Sequence, residues 1–274
     1  MSQEAARCAV RRNVDAFLLE MGEVGGGSAR VNAEAAWTVG GSPLDYHNAL
    51  LNLLDQPERV DALIAAWCAA LEARGLPGVV HWSPGLGPPD LPARLLRHGL
   101  HLAGEEPAMV ANPPFRALTP PPELGFAEVM DAPGLASYRS VLADGFGEGP
   151  REAEWVHAVF TRLGLGGLRW RHQVAYRSVE PVACGSLFMP DRVAGIYFVA
   201  PRRAWRRQGI GTFVTSWLMQ RASSAGATHV ALSSSRDGFH VYRRPGFREV
   251  FRHQLWERAA DTNRGGRGRP LGAR

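Results

Sequence analysis

Val193-Ala194-Gly195-Ile196-Tyr197-Phe198-Val199-Ala200 runs, after a short loop, into Arg206-Arg207-Gln208-Gly209-Ile210-Gly211, and this passage decides the fold. Its first part is almost continuously apolar, the pattern of a central strand covered on both faces. Gly209-Ile210-Gly211 then opens a helix in which Ile210, Phe213, Val214, Trp217 and Leu218 share one face. The first turn of a helix carries backbone N–H groups without intrahelical partners, and the macrodipole adds partial positive charge there. Glycines let a pyrophosphate approach that backbone closely, and Arg206 and Arg207 add charge beside it. The passage reads as strand, anion-binding loop and helix.

Two nucleotide-binding patterns do not fit. A P-loop needs Gly-Lys-Ser/Thr at the helix start, and Thr212 follows Gly211 with no lysine between. A dinucleotide fingerprint needs a third glycine near position 214, which is Val214, and an acidic residue about 20 residues on. Arg206 to Gly211 instead resembles the Arg/Gln-x-x-Gly-x-Gly/Ala loop of the Gcn5-related acyltransferases (GNAT). Tyr242-Arg243-Arg244-Pro245-Gly246-Phe247 resembles the Tyr-x-x-x-Gly-Phe that closes that fold, and Val193 to Ala200 is similar to its fourth strand, in a subgroup with a longer strand-to-helix loop. The resemblance covers about 126–257.

What the resemblance implies is an α/β (α+β) fold with a mixed, mostly antiparallel central sheet flanked by helices, preceded by a smaller GNAT-like α/β domain. It implies acetyl-CoA, or another acyl-CoA, as co-substrate and a primary amine as acceptor. The pantetheine arm would pair with backbone around Phe198, Val199 and Ala200. The pyrophosphate would meet the loop Arg206, Arg207, Gln208, Gly209, Ile210, Gly211 and Thr212, mainly through the N–H groups from Arg207 to Thr212. Tyr242 would be the general acid that protonates the departing thiolate. Ser235 stands where relatives often carry a cofactor-contacting Asn; its hydroxyl has shorter reach.

The sequence also departs from the family pattern. Arg206 falls two residues later than in the shorter loop, and Pro245 replaces the usual Leu. Many relatives place a carboxylate base on the fourth or fifth strand, yet no Asp or Glu occurs between Val193 and Ala200 or between His229 and Ser235. His172, His229, Asp237 and His240 are the candidates, weighed against a chain of waters or no dedicated base. By the same resemblance the acceptor would lie near 143–155 and the segment after 246, where Asp144, Phe146, Glu148 and Trp155 are lining candidates. Cys184 reads as a core cysteine. His98 and His101 lack a Cys or acidic cluster beside them, so no metal is expected.

The remaining chain supports a soluble, cytoplasmic reading. The 274 residues are 45% hydrophobic and 21% charged, and three scattered cysteines give no disulfide framework. No run of about 18 apolar residues marks a membrane span, and the N-terminus lacks a signal-peptide pattern. The net charge is +5, and all 31 basic residues are arginine, which suits an anionic cofactor and not a polycationic acceptor. Nucleic acid is not expected as a partner, unless through the arginines of the tail. Residues 1–112 alternate helices (4–22, 57–74, 90–98) with strands (35–39, near 46–54, 79–82, 101–111) and read as the GNAT-like half without a cofactor motif. Residues 113–125, rich in proline, read as a linker, 126–258 as the catalytic domain and 259–274 as a disordered Arg/Gly tail. Two such halves would make a monomeric pseudo-dimer, or the chain a homodimer. The competing readings are a non-catalytic acyl-CoA sensor, O-acyl transfer and acyl-CoA decarboxylation.

Overall fold

The computed structural model describes residues 2–31, 36–51, 57–147, 149–235 and 238–258. The expected tail, 259–274, lies outside them. In chain order the first elements are α1 (Gln3–Val24), β1 (Ser28–Val31), β2 (Ala36–Val39), β3 (Ala49–Leu51), α2 (Pro57–Arg74), β4 (Val79–Trp82), α3 (Leu91–Arg97) and β5 (Leu100–Ala111). The second series is β6 (Leu124–Glu128), α4 (Ala132–Gly145), α5 (Pro150–Leu163), β7 (Trp170–Arg177), β8 (Glu180–Phe188), β9 (Val193–Pro201), α6 (Ile210–Ser224), β10 (His229–Ser233), α7 (Phe239–Arg243) and β11 (Arg248–Arg258). No described helix is long and apolar enough to cross a membrane.

Packing divides the chain into two compact units. The N-terminal unit comprises Asp15–Pro107 and the chain from Phe251; the C-terminal unit comprises the chain up to Val14 and Ala108–Val250. In the N-terminal unit the strands run in the order β1-β2-β3-β4-β11. β3 and β4 are parallel, with Ala49 opposite Val79, and β11 is antiparallel to β4, with Trp256 opposite Val80. Helix α2 covers this sheet because its apolar residues recur at helical spacing. Val60, Ile64, Trp67 and Leu71 are all buried, and they pack with Trp37, Leu50, Val80 and Trp256. Gly75, at φ +62°, takes the left-handed conformation that ends the helix. Asn48 ties the loops beneath it, donating to the carbonyls of Ser42, Leu44 and Pro77.

In the C-terminal unit, residues 108–111 of β5 are followed across the sheet by β10, β9, β8, β7 and β6. Only β9 and β10 are parallel; the other pairs are antiparallel. Alternation along β8 sends neighbouring residues to opposite faces. A side chain at Gly185 would press on Val214 and Leu218 of α6, so that face belongs to α6. Ser186, one residue on, meets Tyr138 of α4. The core under α6 gathers Met109, Ala183, Leu187, Ile196, Val230 and Phe247. The proline-rich segment carries no helix or strand and is strapped along α6: Leu118 N–H donates to Ser216 Oγ at 2.9 Å, and Gln220 donates to Phe115 O at 3.1 Å.

The halves repeat one order of elements: β3, α2, β4, α3 and β5 in the first, β9, α6, β10, α7 and β11 in the second. Each centres on a parallel strand pair joined through a helix. The last strand of each half is placed out of sequence. β5 contributes its residues 108–111 to the C-terminal unit beside β10, and β11 contributes its residues 254–257 to the N-terminal unit beside β4. The first turns of α1 also belong to the C-terminal unit. Asn13, buried there, donates to Val193 O at 2.8 Å and accepts the Tyr197 hydroxyl at 2.7 Å. Gly195 makes this approach possible, since a Cβ there would lie 2.1 Å from Asn13 Oδ1. Replacing Asn13 with Ala removes the side chain that bonds both Val193 O and the Tyr197 hydroxyl. Asn13→Ala should cost about 2 kcal/mol of stability, read from the urea midpoint.

Candidate active site

Strand β9 obeys two pairings that do not agree. Its parallel register with β10 stops at Gly195 opposite Ala231, although β9 continues to Pro201 and β10 to Ser233. Its antiparallel register with β8 continues, with Ser186 opposite Tyr197 and Cys184 opposite Ala200. Three steps on β9 therefore match two on β8, which is a β-bulge at Phe198 and Val199. Phe198 takes φ +56°, a left-handed conformation that costs a non-glycine residue about 1–2 kcal/mol. Packing holds it there: its ring meets Phe146 and Phe160 at centroid distances of 5.7 and 5.8 Å. Beyond Gly195, β9 runs on in register with β8 and no longer with β10, and that stretch includes Phe198, Val199 and Ala200.

The loop that leaves β9 divides its arginines between two tasks. Arg202 donates to Pro181 O at 2.6 Å and Ser140 Oγ at 2.8 Å, and the Arg203 N–H donates to Asp144 Oδ2 at 2.9 Å. Arg206 donates to Gly145 O at 2.8 Å. These guanidinium groups gather at the C-terminal end of α4, where carbonyls lack partners and the helix dipole is negative. Gly145 is required at that end, because a Cβ would lie 2.4 Å from Pro201 O. Arg206 and Asp144 are thereby committed to structure. Arg207 is exposed, has φ +61°, and has no partner among the described residues. Gln208 donates to Ala204 O at 3.3 Å, on the loop itself.

Gly209, at φ +77°, stands before α6. The N–H groups of Thr212 and Phe213 already donate to Gly209 O, at 3.0 and 3.2 Å. The orphan donors of the first turn are therefore those of Ile210 and Gly211. Thr212 is the least available of the expected phosphate-facing amides.

Ser235 and Tyr242 flank the turn after β10. The Gly238 N–H donates to Ser235 Oγ at 3.2 Å, so this hydroxyl shapes the entry into α7. Tyr242 lies on α7, half-buried, with its ring edge-on to Phe247 at 6.1 Å. Pro245 is buried, and Gly246 takes φ +112°.

The base candidates separate clearly. Asp237 lies outside the described residues, as does the lining candidate Glu148. His229 begins β10, at the end of the strand opposite Ser233, and burial lowers its pKa. His240 is exposed on α7. His172 is buried at the centre of β7, stacked on Phe160 at 3.8 Å, and burial lowers its pKa to about 3. Sequence reasoning missed its partners, Ser186 and Tyr138, which join it in one buried polar chain. Phe146 packs on Phe198, while Trp155 is half-buried on α5. Among the described residues no group of His, Cys, Asp or Glu is assembled for a metal.

Residues 140–247 match the model of the acetyltransferase (GNAT) family. A solved structure of a GCN5-related N-acetyltransferase from Kribbella flavida is similar in fold. Its TM-score is 0.73 at 17% identity, over 91% of this chain and 95% of that one. A conserved protein of unknown function from Staphylococcus epidermidis has a TM-score of 0.60 at 14% identity, covering 85% and 94%. A tandem GNAT protein from the clavulanic acid biosynthesis pathway has a TM-score of 0.55 at 15% identity, covering 84% and 78%. No curated protein matches the chain.

The division of the arginines is testable. Arg207→Ala should weaken coenzyme A binding roughly tenfold in titration calorimetry with an unchanged melting temperature, whereas Arg206→Ala should lower the melting temperature. Acid should also weaken the fold. The folded chain refuses a proton that His172 accepts when unfolded, so stability falls as pH drops from 6.5 toward about 3. Urea midpoints at pH 7 and 5 would measure that loss.

Proposed function

We propose that this protein, whose residues 140–247 match the GNAT acetyltransferase family, transfers an acyl group, most simply acetyl, from acyl-CoA to a primary amine. One observation carries the reading: β9 parts from β10 after Gly195 on the same crossover that ends in the glycine-opened N-terminus of α6. A strand that has parted from its neighbour suits the pantetheine arm, and a helix N-terminus with Arg207 beside it suits the pyrophosphate. In this reading Phe198, Val199 and Ala200 line the arm, and Arg207 to Gly211 meet the phosphates.

The chemistry is direct transfer. The neutral amine attacks the thioester carbon; a C–N bond forms and the C–S bond breaks. Tyr242 gives its proton to the departing thiolate, the amine loses its own proton to water, and solvent reprotonates the phenolate. Support for Tyr242 comes from its place on α7, which follows β10, and from the match of Tyr242 to Phe247 with the family's closing motif. The proposal includes a cytoplasmic, monomeric or homodimeric protein, with 1–112 as a GNAT-like domain without a cofactor motif and 126–258 as the catalytic domain.

A second reading, an acyl-CoA-binding sensor without turnover, is favoured by one feature: neither β9 nor β10 contains an Asp or Glu. Release of free thiol from acetyl-CoA across a panel of amines separates the two. Within the enzyme reading, Tyr242→Phe should lower kcat about a hundredfold with the KM for acetyl-CoA within about threefold. An unchanged kcat removes Tyr242 from the mechanism.

A further inference from the structure

Three serines stand in a row at the end of β10, and the structure uses them differently. Ser234 Oγ donates to Ser235 O at 2.7 Å, and Ser235 Oγ accepts the Gly238 N–H at 3.2 Å, so both build the turn into α7. Ser233 has no such task. Its Oγ is buried and has no hydrogen-bond partner among the described residues. A buried hydroxyl in that state has given up water for nothing, a loss of stability that alanine would not carry.

Ser233 borders the place where β9 parts from β10. The two strands stay in register only as far as Gly195 opposite Ala231, and Ser233 is two residues further along β10. Side chains alternate along a strand, and Val230 and Leu232 lie in the core under α6. Ala231 and Ser233 therefore face the other side of the sheet. That is the side of Gly195, where an added Cβ would meet Asn13 and Tyr197, and of Ala108, which is directly opposite Ser233 on β5. Its neighbours there, Ala108 and Ala231, are buried and apolar, and offer a hydroxyl no partner. Tyr242 belongs to the opposite side, packed against the core under α6. The parting is thus bordered by Ser233 on one face of the sheet and by Tyr242 on the other.

We infer that Ser233 receives the acceptor: its Oγ accepts a hydrogen bond from an N–H of the attacking amine and so aims the nitrogen lone pair at the thioester carbon. The inference rests on the acyl-CoA reading above, in which the arm of the donor follows β9 past Gly195. A neutral primary amine carries two N–H groups and one lone pair, and holding one N–H fixes where the lone pair points. As the C–N bond forms, positive charge develops on nitrogen and its N–H becomes a stronger donor. The contact is therefore worth more in the transition state than in the bound amine. Ser233 takes no proton, because a neutral hydroxyl is far too weak a base; the proton of the amine passes to water, and Tyr242 still serves the thiolate.

The full chain tests it, assayed with acetyl-CoA and the primary amine that gives the fastest thiol release in the panel above. Ser233→Ala should raise the melting temperature and lower kcat about tenfold, with the KM for acetyl-CoA within about twofold. Ser233→Thr, which restores a hydroxyl on the same Cβ, should bring kcat to within about threefold of wild type. A hydroxyl with a merely structural role moves stability alone, so an Ala variant of unchanged kcat overturns the inference. An Ala variant that melts lower, or does not fold, also overturns it, because Ser233 then has a partner within the protein. A loss that Ser233→Thr does not repair is equally fatal, since it marks packing and not the hydroxyl. Wild-type protein that releases no thiol with any amine overturns the proposed function and this inference together. Wild-type turnover with any of the preceding results overturns this inference alone.

Discussion

The site depends on one constraint on β9: the strand must leave β10 after Gly195 without leaving β8. A strand cannot satisfy both neighbours while they diverge, so it takes an extra residue on the β8 side. Phe198 bears the resulting strain. The surroundings are arranged to make that strain tolerable. Asn13 pins β9 before the parting, through Val193 and Tyr197. Phe146 and Phe160 clamp the Phe198 ring, and the Cys184 thiol holds its carbonyl.

Charge is handled in two different ways around this strand. On the loop side, arginines are plentiful, and Arg202, Arg203 and Arg206 are bound to the end of α4. They stiffen the path along which Arg207 is presented. On the face under α4 and α5, burial keeps His172, Tyr138 and Cys184 uncharged, because an unpaired ion in that apolar setting would cost far more than a neutral hydrogen bond returns.

Most elements were legible because their periodicity is strong. The buried stripe of α2 and the apolar run of β9 can be read directly, and the glycines at 209 and 211 mark the start of α6. Strand β1 was missed: Ser28–Val31 is short and follows three glycines that read only as a break. Arg206 and Arg207 are neighbours with the same chemistry, and only the position of Gly145 tells which one is free. The pairing of Asn13 with Tyr197 spans 184 residues, and that of Tyr138 with Ser186 spans 48; no local pattern encodes either. The residue type of His172 suggests a base, whereas the structure buries it against Phe160 and Ser186.

The exchanged last strands have a consequence for the order in which the molecule can be made. β4 finds its antiparallel neighbour only in residues 254–257, more than 170 residues further on. The first hundred residues emerge from the ribosome with that edge bare, and they stay so while the second half is synthesised. The sheet of the N-terminal unit is finished last although its sequence comes first. Until then β4 presents open amides and carbonyls to whatever strand arrives, including the same edge on another nascent chain. Assembly of this protein is a closing clasp: completion of that sheet waits on the synthesis of residues 254–257.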